Sequence, residues 1–324
     1  MLKGKILITG GNGFLGRGIM RRAHKENWPC DLTTLSRDES KIVKVNGMYP
    51  EVHTIKGDVT DDVDYLARLF RGHDIIIHAA ANKLVDIGER TALEVVKNNV
   101  IGSQHVAYAA MKAGVKRVIG ISSDKAVQPV NTYGMSKALM ERMFQEADIH
   151  TDTEFVCARY GNVVGSTISI VLYFQQQLKE LGHIKVTNPE MTRFYMGVDE
   201  GIDVITHSLD YARRGSVVIP KMHAMSVRNV ACMVLGRIPE SALKGTDKVK
   251  IIGERPGEKL HESLLHLQES VRITGVYEDQ SYFELRPPIE QGCCEPFTIT
   301  SDKPPLGWMT FERLRDLISD ASTV

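Results

Sequence analysis

The first half of the chain alternates short apolar runs with stretches whose apolar residues recur every three or four positions. The runs Lys5–Thr9, Asp31–Ser36, Val52–Lys56, Asp74–Ala79, Arg117–Ser122 and Phe155–Tyr160 predict strands. Between them, Phe14–His24, Val63–Phe70, Leu93–Ala113 and Tyr133–Ala147 carry a one-sided apolar stripe and predict helices. Strand and helix in strict alternation predict an α/β fold, a doubly wound parallel sheet covered by helices on both faces. Past Val164 the rhythm weakens, although Val198–Ala212 and Ser216–Pro220 predict one more helix and strand returning to the sheet. The pattern therefore divides the chain into a sheet domain, residues 1–164 and 193–220, and a smaller discontinuous lobe, residues 165–192 and 221–324.

Length and charge narrow the partners. A chain of 324 residues can bury a large core, and 40 basic residues balance 40 acidic ones, so nothing points to nucleic acid. No stretch approaches the roughly 20 apolar residues that span a bilayer. Met1-Leu2-Lys3-Gly4-Lys5 runs directly into the first strand, and no membrane association and a cytoplasmic location are expected. The five cysteines are odd in number and lack metal-ligand spacing, so reduced, structural thiols and no metal are expected.

Chemistry enters at the carboxyl ends of the predicted strands, where open α/β sheets bind ligands. Gly10-Gly11-Asn12-Gly13-Phe14-Leu15-Gly16 follows the first strand and opens a helix. Its glycine spacing allows a tight turn, a close approach to a pyrophosphate and free helix amides facing the anion. This makes the sheet domain a Rossmann dinucleotide-binding domain. The second strand ends in Ser36-Arg37-Asp38. Ser36 and Arg37 favour a 2′-phosphate and hence NADP, whereas Asp38 is the residue that would serve NAD. Asp58, in Gly57-Asp58-Val59, suits the adenine edge. His78-Ala79-Ala80-Ala81-Asn82-Lys83 closes the fourth strand, its alanines permitting close approach and Lys83 reaching phosphate or sugar; His78, inside an apolar run, reads as a satisfied core histidine. After the fifth strand comes Ser122-Ser123-Asp124-Lys125, and then Tyr133 and Lys137, which share one helix face at i and i+4. In that arrangement an ammonium can hold down the phenol's pKa and make it a base. The additional acid and lysine imply more than an alcohol oxidation.

These residues resemble the extended short-chain dehydrogenase/reductase family, and within it the inverting UDP-N-acetylglucosamine 4,6-dehydratases. The likeness spans nearly the whole chain and includes Ser123-Asp124-Lys125-Ala126, Tyr133 with Lys137, Arg159-Tyr160-Gly161-Asn162-Val163-Val164-Gly165, Met191-Thr192-Arg193-Phe194 and Arg255-Pro256-Gly257-Glu258-Lys259-Leu260-His261-Glu262. The resemblance implies that Gly10, Gly13, Phe14, Leu15 and Gly16 hold the NADP pyrophosphate, Ser36, Arg37 and Lys41 the 2′-phosphate, and Asp58 and Val59 the adenine. It places Ala79, Lys83, Tyr133 and Lys137 around the nicotinamide ribose, and Lys83, Ser122, Ser123, Asn162, Arg255 and Glu258 on the nucleotide sugar. Tyr133 is then the base for C4 oxidation, Lys125 the base at C5 and Asp124 the acid for the departing 6-hydroxyl. Lys125 needs a pKa well below its free value, to be supplied by burial and nearby positive charge. A homo-oligomer acting on a UDP-sugar is expected. Two departures stand out: Thr167 and Ile168 replace an expected Arg-Gly, and Gly134-Met135-Ser136-Lys137-Ala138 is closer to UDP-sugar 4-epimerases. A 4-epimerase and a non-catalytic nucleotide-binding module therefore stand as alternatives.

Overall fold

The computed structural model describes residues 1–166, 169–236, 247–276, 281–288, 290 and 295–324. Thr167 and Ile168, and Cys293 and Cys294, lie outside the described residues. The six predicted strands form as β1 (Gly4–Thr9), β2 (Cys30–Ser36), β3 (His53–Lys56), β4 (Ile75–His78), β5 (Arg117–Ser123) and β6 (Glu154–Tyr160), all parallel, in the order β3-β2-β1-β4-β5-β6. The order reverses between β1 and β4, which opens the crevice where such sheets receive ligands. Val217–Pro220 continues the sheet parallel to β6. Beyond it Tyr282–Leu285 and Ile273–Val276 add two antiparallel strands that the weakened rhythm of the second half did not reveal. They bring part of the carboxyl-terminal segment into the main sheet.

The centre is dry on both faces: Ile6, Leu7, Ile8, Ile76, Ile77, Val118, Ile119 and Phe155 are buried, as a doubly covered parallel sheet requires. A separate apolar cluster, including Val171, Phe174, Ile184, Val186, Met191 and Met225, forms the core outside the sheet.

The predicted helices are α1 (Phe14–Lys25), α3 (Val63–Phe70), α6 (Gly102–Ala113) and α7 (Thr132–Ile149); α2 (Glu39–Met48), capped by Asp38, was not predicted, and α4 is Val85–Arg90. One long helix was expected over Leu93–Ala113. Instead α5 (Ala92–Val95) widens into a π-helical turn, Val96–Ile101, before α6. The cause is polar. Asn99 turns inward, its side-chain amide donating to Asn82 O (2.9 Å) and Ser136 Oγ (3.0 Å) while its Oδ1 accepts from Asn82 N (2.7 Å). The wider turn presents both Asn98 and Asn99 to the interior, a use of π segments common beside functional sites. Among the described residues no helix is long and apolar enough to cross a membrane.

Candidate active site

The glycine turn is built for contact with another molecule. Gly10 has φ +67°, and a Cβ there would lie 2.8 Å from Ala80 Cα, so only glycine fits between the ends of β1 and β4. At Gly16 a Cβ would fall 1.9 Å from Gly11 O, so helix and turn touch backbone to backbone. Gly13 caps α1 with no side-chain hydrogen bond, and the first turn carries no acid, leaving its amides to meet an anion. Phe14 is buried beneath the turn and Leu15 is half-buried. Asn12 is buried, its Oδ1 accepting from Thr34 Oγ1 (2.7 Å) while its Nδ2 lacks a partner among the described residues, a donor left for a ligand. The residues present therefore fit a dinucleotide.

At the end of β2, Ser36 Oγ accepts from Asp38 N (3.3 Å), Arg37 Nη1 meets Asp58 Oδ2 (3.1 Å) and Lys41 Nζ meets Asp38 Oδ2 (2.9 Å). Both candidate phosphate-binding cations thus begin paired with carboxylates. Asp58 also takes Thr60 N and Oγ1, each at 3.0 Å, while Val59 is buried against Gly102. Ala79 N donates to Thr9 O (3.1 Å), and Lys83 is exposed in the loop after β4. His78 is the satisfied core histidine expected: Ser103 Oγ donates to Asn99 O, so it accepts from His78 Nε2 (2.9 Å), leaving Nδ1 to accept from Thr9 Oγ1 (2.8 Å).

β5 delivers the candidate reactive groups. Ser123 ends the strand, Asp124 opens a 3₁₀ turn over Asp124–Ala126, and Asn131 caps α7 through Gly134 N (2.7 Å), setting Tyr133 in its first turn. Asp124 is fully buried. Its Oδ1 accepts from Ser123 Oγ (2.8 Å) and Lys125 Nζ (3.0 Å), and its Oδ2 has no partner among the described residues. Tyr133 is hydrogen-bonded to Ser123 and feels Lys125 and Asp124.

The structure corrects three expectations. Lys137 does not hold the phenol down: its Nζ donates to Ile121 O (2.7 Å), and burial lowers its own pKa to about 8. Burial instead raises the pKa of Tyr133, outweighing the opposing pull of Lys125. Lys125 is not depressed either. Burial pushes its pKa down, but Asp124 and Glu262 together outweigh burial and raise it. Ser122 faces away from the site, because successive strand residues point to opposite faces; its hydroxyl donates to Glu141 Oε1 (2.5 Å) inside the core.

Asn162 is tied by its Nδ2 to Phe194 O (3.1 Å). The distant segment 255–262 folds across the start of α7, with Asn131 Nδ2 donating to Gly257 O (2.8 Å) and Lys259 Nζ to Val127 O (2.5 Å). Arg255 and Glu258 sit half-buried at its turn, where Arg255 N donates to Glu258 Oε2 (3.3 Å). The same segment inserts Glu262, whose Oε1 lies 3.6 Å from Lys125 Nζ and 3.8 Å from Arg193 Nε. Tyr195 completes this buried ring. Glu262, Arg193 and Tyr195 were not singled out as site residues. The first two lie in the motifs quoted above, but their meeting with Lys125 is a tertiary fact.

A family model described as "Polysaccharide biosynthesis protein" matches residues 6–282. An inverting UDP-N-acetylglucosamine 4,6-dehydratase of Campylobacter jejuni is 32% identical over 340 residues, 98% of each chain. A UDP-glucose 4-epimerase of Rickettsia bellii is 32% identical over 275 residues, 82% of this chain and 79% of that one. The X-ray structure of Pen from Bacillus thuringiensis superposes with a TM-score of 0.87 at 27% identity, over 99% of this chain and 98% of that one.

Proposed function

Because the chain belongs to the polysaccharide biosynthesis protein family of short-chain dehydrogenase/reductases, which includes nucleotide-sugar dehydratases, we propose that it is an NADP-dependent UDP-N-acetylglucosamine 4,6-dehydratase that inverts C5. One observation carries the reading: a buried acid and a half-buried amine, Asp124 and Lys125, lie side by side next to Tyr133. Exchange of configuration at C4 needs a base at O4 and a hydride carrier. Elimination of water needs in addition a base at C5 and an acid at O6, and this site holds a candidate for each.

Held at the glycine turn and by Lys137, bound NADP would supply hydride acceptance at C4 and hydride return at C6. Tyr133 accepts the proton from O4 as a phenolate, favoured by Lys125 and by the positive charge the bound nicotinamide would carry, with Ser123 orienting its oxygen. Lys125 takes the C5 proton that the 4-ketone acidifies, and Asp124 protonates the departing 6-hydroxyl. Lys137 holds the nicotinamide ribose. Lys83, Ser123 and Asn162 contact the sugar nucleotide, Arg255 its diphosphate and Glu258 its hydroxyl or imide donors. At the other end Ser36, Arg37 and Lys41 take the 2′-phosphate, which displaces Asp58 and Asp38 as partners of the two cations. The protein works in the cytoplasm as a homo-oligomer. Leu93, Tyr108, Met135 and Leu139, on helices lying side by side, leave exposed apolar surface for a second copy.

Mass spectrometry of the purified chain with NADP and UDP-N-acetylglucosamine tests the reading: the product must lose one water. The epimerase likeness over 82% of the chain favours a second reading, UDP-sugar 4-epimerisation, and an isobaric product would select it. Absence of turnover across a panel of UDP-sugars would select the binding module.

A further inference from the structure

Glu262 is buried, yet its carboxylate makes no close hydrogen bond to the cations around it. Its Oε1 lies 3.6 Å from Lys125 Nζ and 3.8 Å from Arg193 Nε, and its Oε2, 3.9 Å from Lys259 Nζ, has no hydrogen-bond partner among the described residues. The backbone is pinned on both sides, Glu262 N donating to Ser301 Oγ (2.9 Å) and Ser301 N to Glu262 O (2.9 Å). Arg193 is held by Thr192 O (2.8 Å) and Leu260 O (3.2 Å), and Lys259 by Val127 O (2.5 Å). Lys125 is the cation reaching both carboxylates, Asp124 at 3.0 Å and Glu262 at 3.6 Å. The orphaned atoms Asp124 Oδ2, Glu262 Oε2 and Tyr195 Oη belong to this one cluster.

We propose that Glu262 is a positioning residue for the elimination, holding Lys125 against Asp124 so that the two act as a pair sharing one proton. The inference rests on the dehydratase reading above. Loss of the Lys125 proton to solvent would leave the cluster with Glu262 one charge more negative, whereas transfer to Asp124 leaves its net charge unchanged, so the neutral amine forms by that transfer. The N–H bond of Lys125 breaks, an O–H bond forms on Asp124, and the pair's net charge is unchanged. That single transfer creates base and acid together. The C5 proton then passes to Lys125 Nζ and its bonding electrons become the C5–C6 double bond. The C6–O bond breaks, and its oxygen leaves as water with the proton from Asp124. Lys125 and Asp124 end as ammonium and carboxylate, as they began. The charged and titratable groups facing Lys125 are Asp124 from its own turn, Glu262 and Lys259 from the 255–262 segment, Arg193 and Tyr195 from strand Thr192–Met196, and Tyr133 from α7.

The test is a single-turnover pH profile of the full chain with NADP and UDP-N-acetylglucosamine, following water loss by mass and deuterium entry at C5. A pair sharing one proton gives a wild-type elimination rate that is flat from about pH 7 to about pH 10. A rate climbing about tenfold per pH unit there would mean that Lys125 discharges its proton to solvent, and would overturn the proposal. Glu262→Gln removes the charge that raises Lys125, so its alkaline limb should move down by at least about one pH unit, while Glu262→Asp keeps the wild-type limb. Coincident limbs for the wild type and Glu262→Gln would overturn the role of Glu262. Should the Gln variant not fold, the wild-type and Asp profiles decide: a flat wild-type rate with an unmoved Asp limb supports the pair, and a rising rate or a displaced Asp limb overturns it. Failure of the function itself looks different, since the wild type would then lose no water at any pH and this inference would fall with it.

Discussion

Two ionic clusters, each joined by one of the neighbouring serines at the end of β5, are spent differently. In one, Arg159 donates Nε to Glu141 Oε1 (2.9 Å), Nη2 to Glu141 Oε2 (2.6 Å), and both terminal nitrogens to Glu269 at 2.9 Å, while Ser122 adds a third bond to Glu141. In the other, Asp124, Lys125 and Glu262 meet at 3.0 and 3.6 Å with two carboxylate oxygens left over. Ser122 feeds the first and its neighbour Ser123 the second, because strand residues alternate faces. In the first every carboxylate oxygen is paired and the charge is architecture, whereas the second keeps open acceptor sites of the kind a substrate could use.

The comparison is broken most severely at Asp124. Asp124→Asn should lower the elimination rate by about 10²- to 10⁴-fold while changing folding stability by less than about 1 kcal/mol, since the lost oxygen had no full set of partners. Product mass and urea denaturation measure the two; a large stability loss with modest kinetic loss would erase the contrast. Arg159→Met should do the reverse, costing about 3–5 kcal/mol because two buried carboxylates lose their cation. A soluble variant with a wild-type urea midpoint would contradict the architectural role.

Arg37 supplies a third kind of pair, exposed and exchangeable. Arg37→Ala should weaken NADP by about 1.5–3 kcal/mol and leave NAD nearly unchanged, as isothermal titration would read; equal losses would make Arg37 structural. The mildest effect belongs to His78, fully satisfied and therefore visible in stability alone. Burial, with a smaller push from Lys137, lowers its pKa to about 3 from 6.5. Below 6.5 the unfolded chain binds a proton that the folded chain refuses, so this stability is present above that value and lost as pH falls towards 3. At about pH 5.5 the loss should be about 1 kcal/mol, and His78→Asn should abolish it; identical pH responses would clear His78 of the effect.

What the sequence revealed follows range. The six parallel strands and α1, α3 and α7 were legible because period-2 and period-3.6 patterns are local, and the Gly10–Gly16 turn because a strand before it and a helix after it share one window. Asp124, Lys125 and Tyr133 were legible by position at the end of β5. The orientation of Ser122 was readable in principle from alternation, since Ser122 and Ser123 could not both face the ligand. The π-helical turn depended on Asn99 finding Asn82 and Ser136, and the raised pKa of Lys125 on Glu262 arriving from far along the chain. Neither contact leaves a trace in local spacing.

The pin between Glu262 and Ser301 also sets a timetable. During synthesis the glycine turn, β5 and Tyr133 leave the ribosome first, whereas Ser301 must emerge before Glu262 can be seated against Lys125. The glycine turn therefore emerges long before Glu262 can be seated beside Lys125, and that cluster stays unfinished until the segment bearing Ser301 has been made.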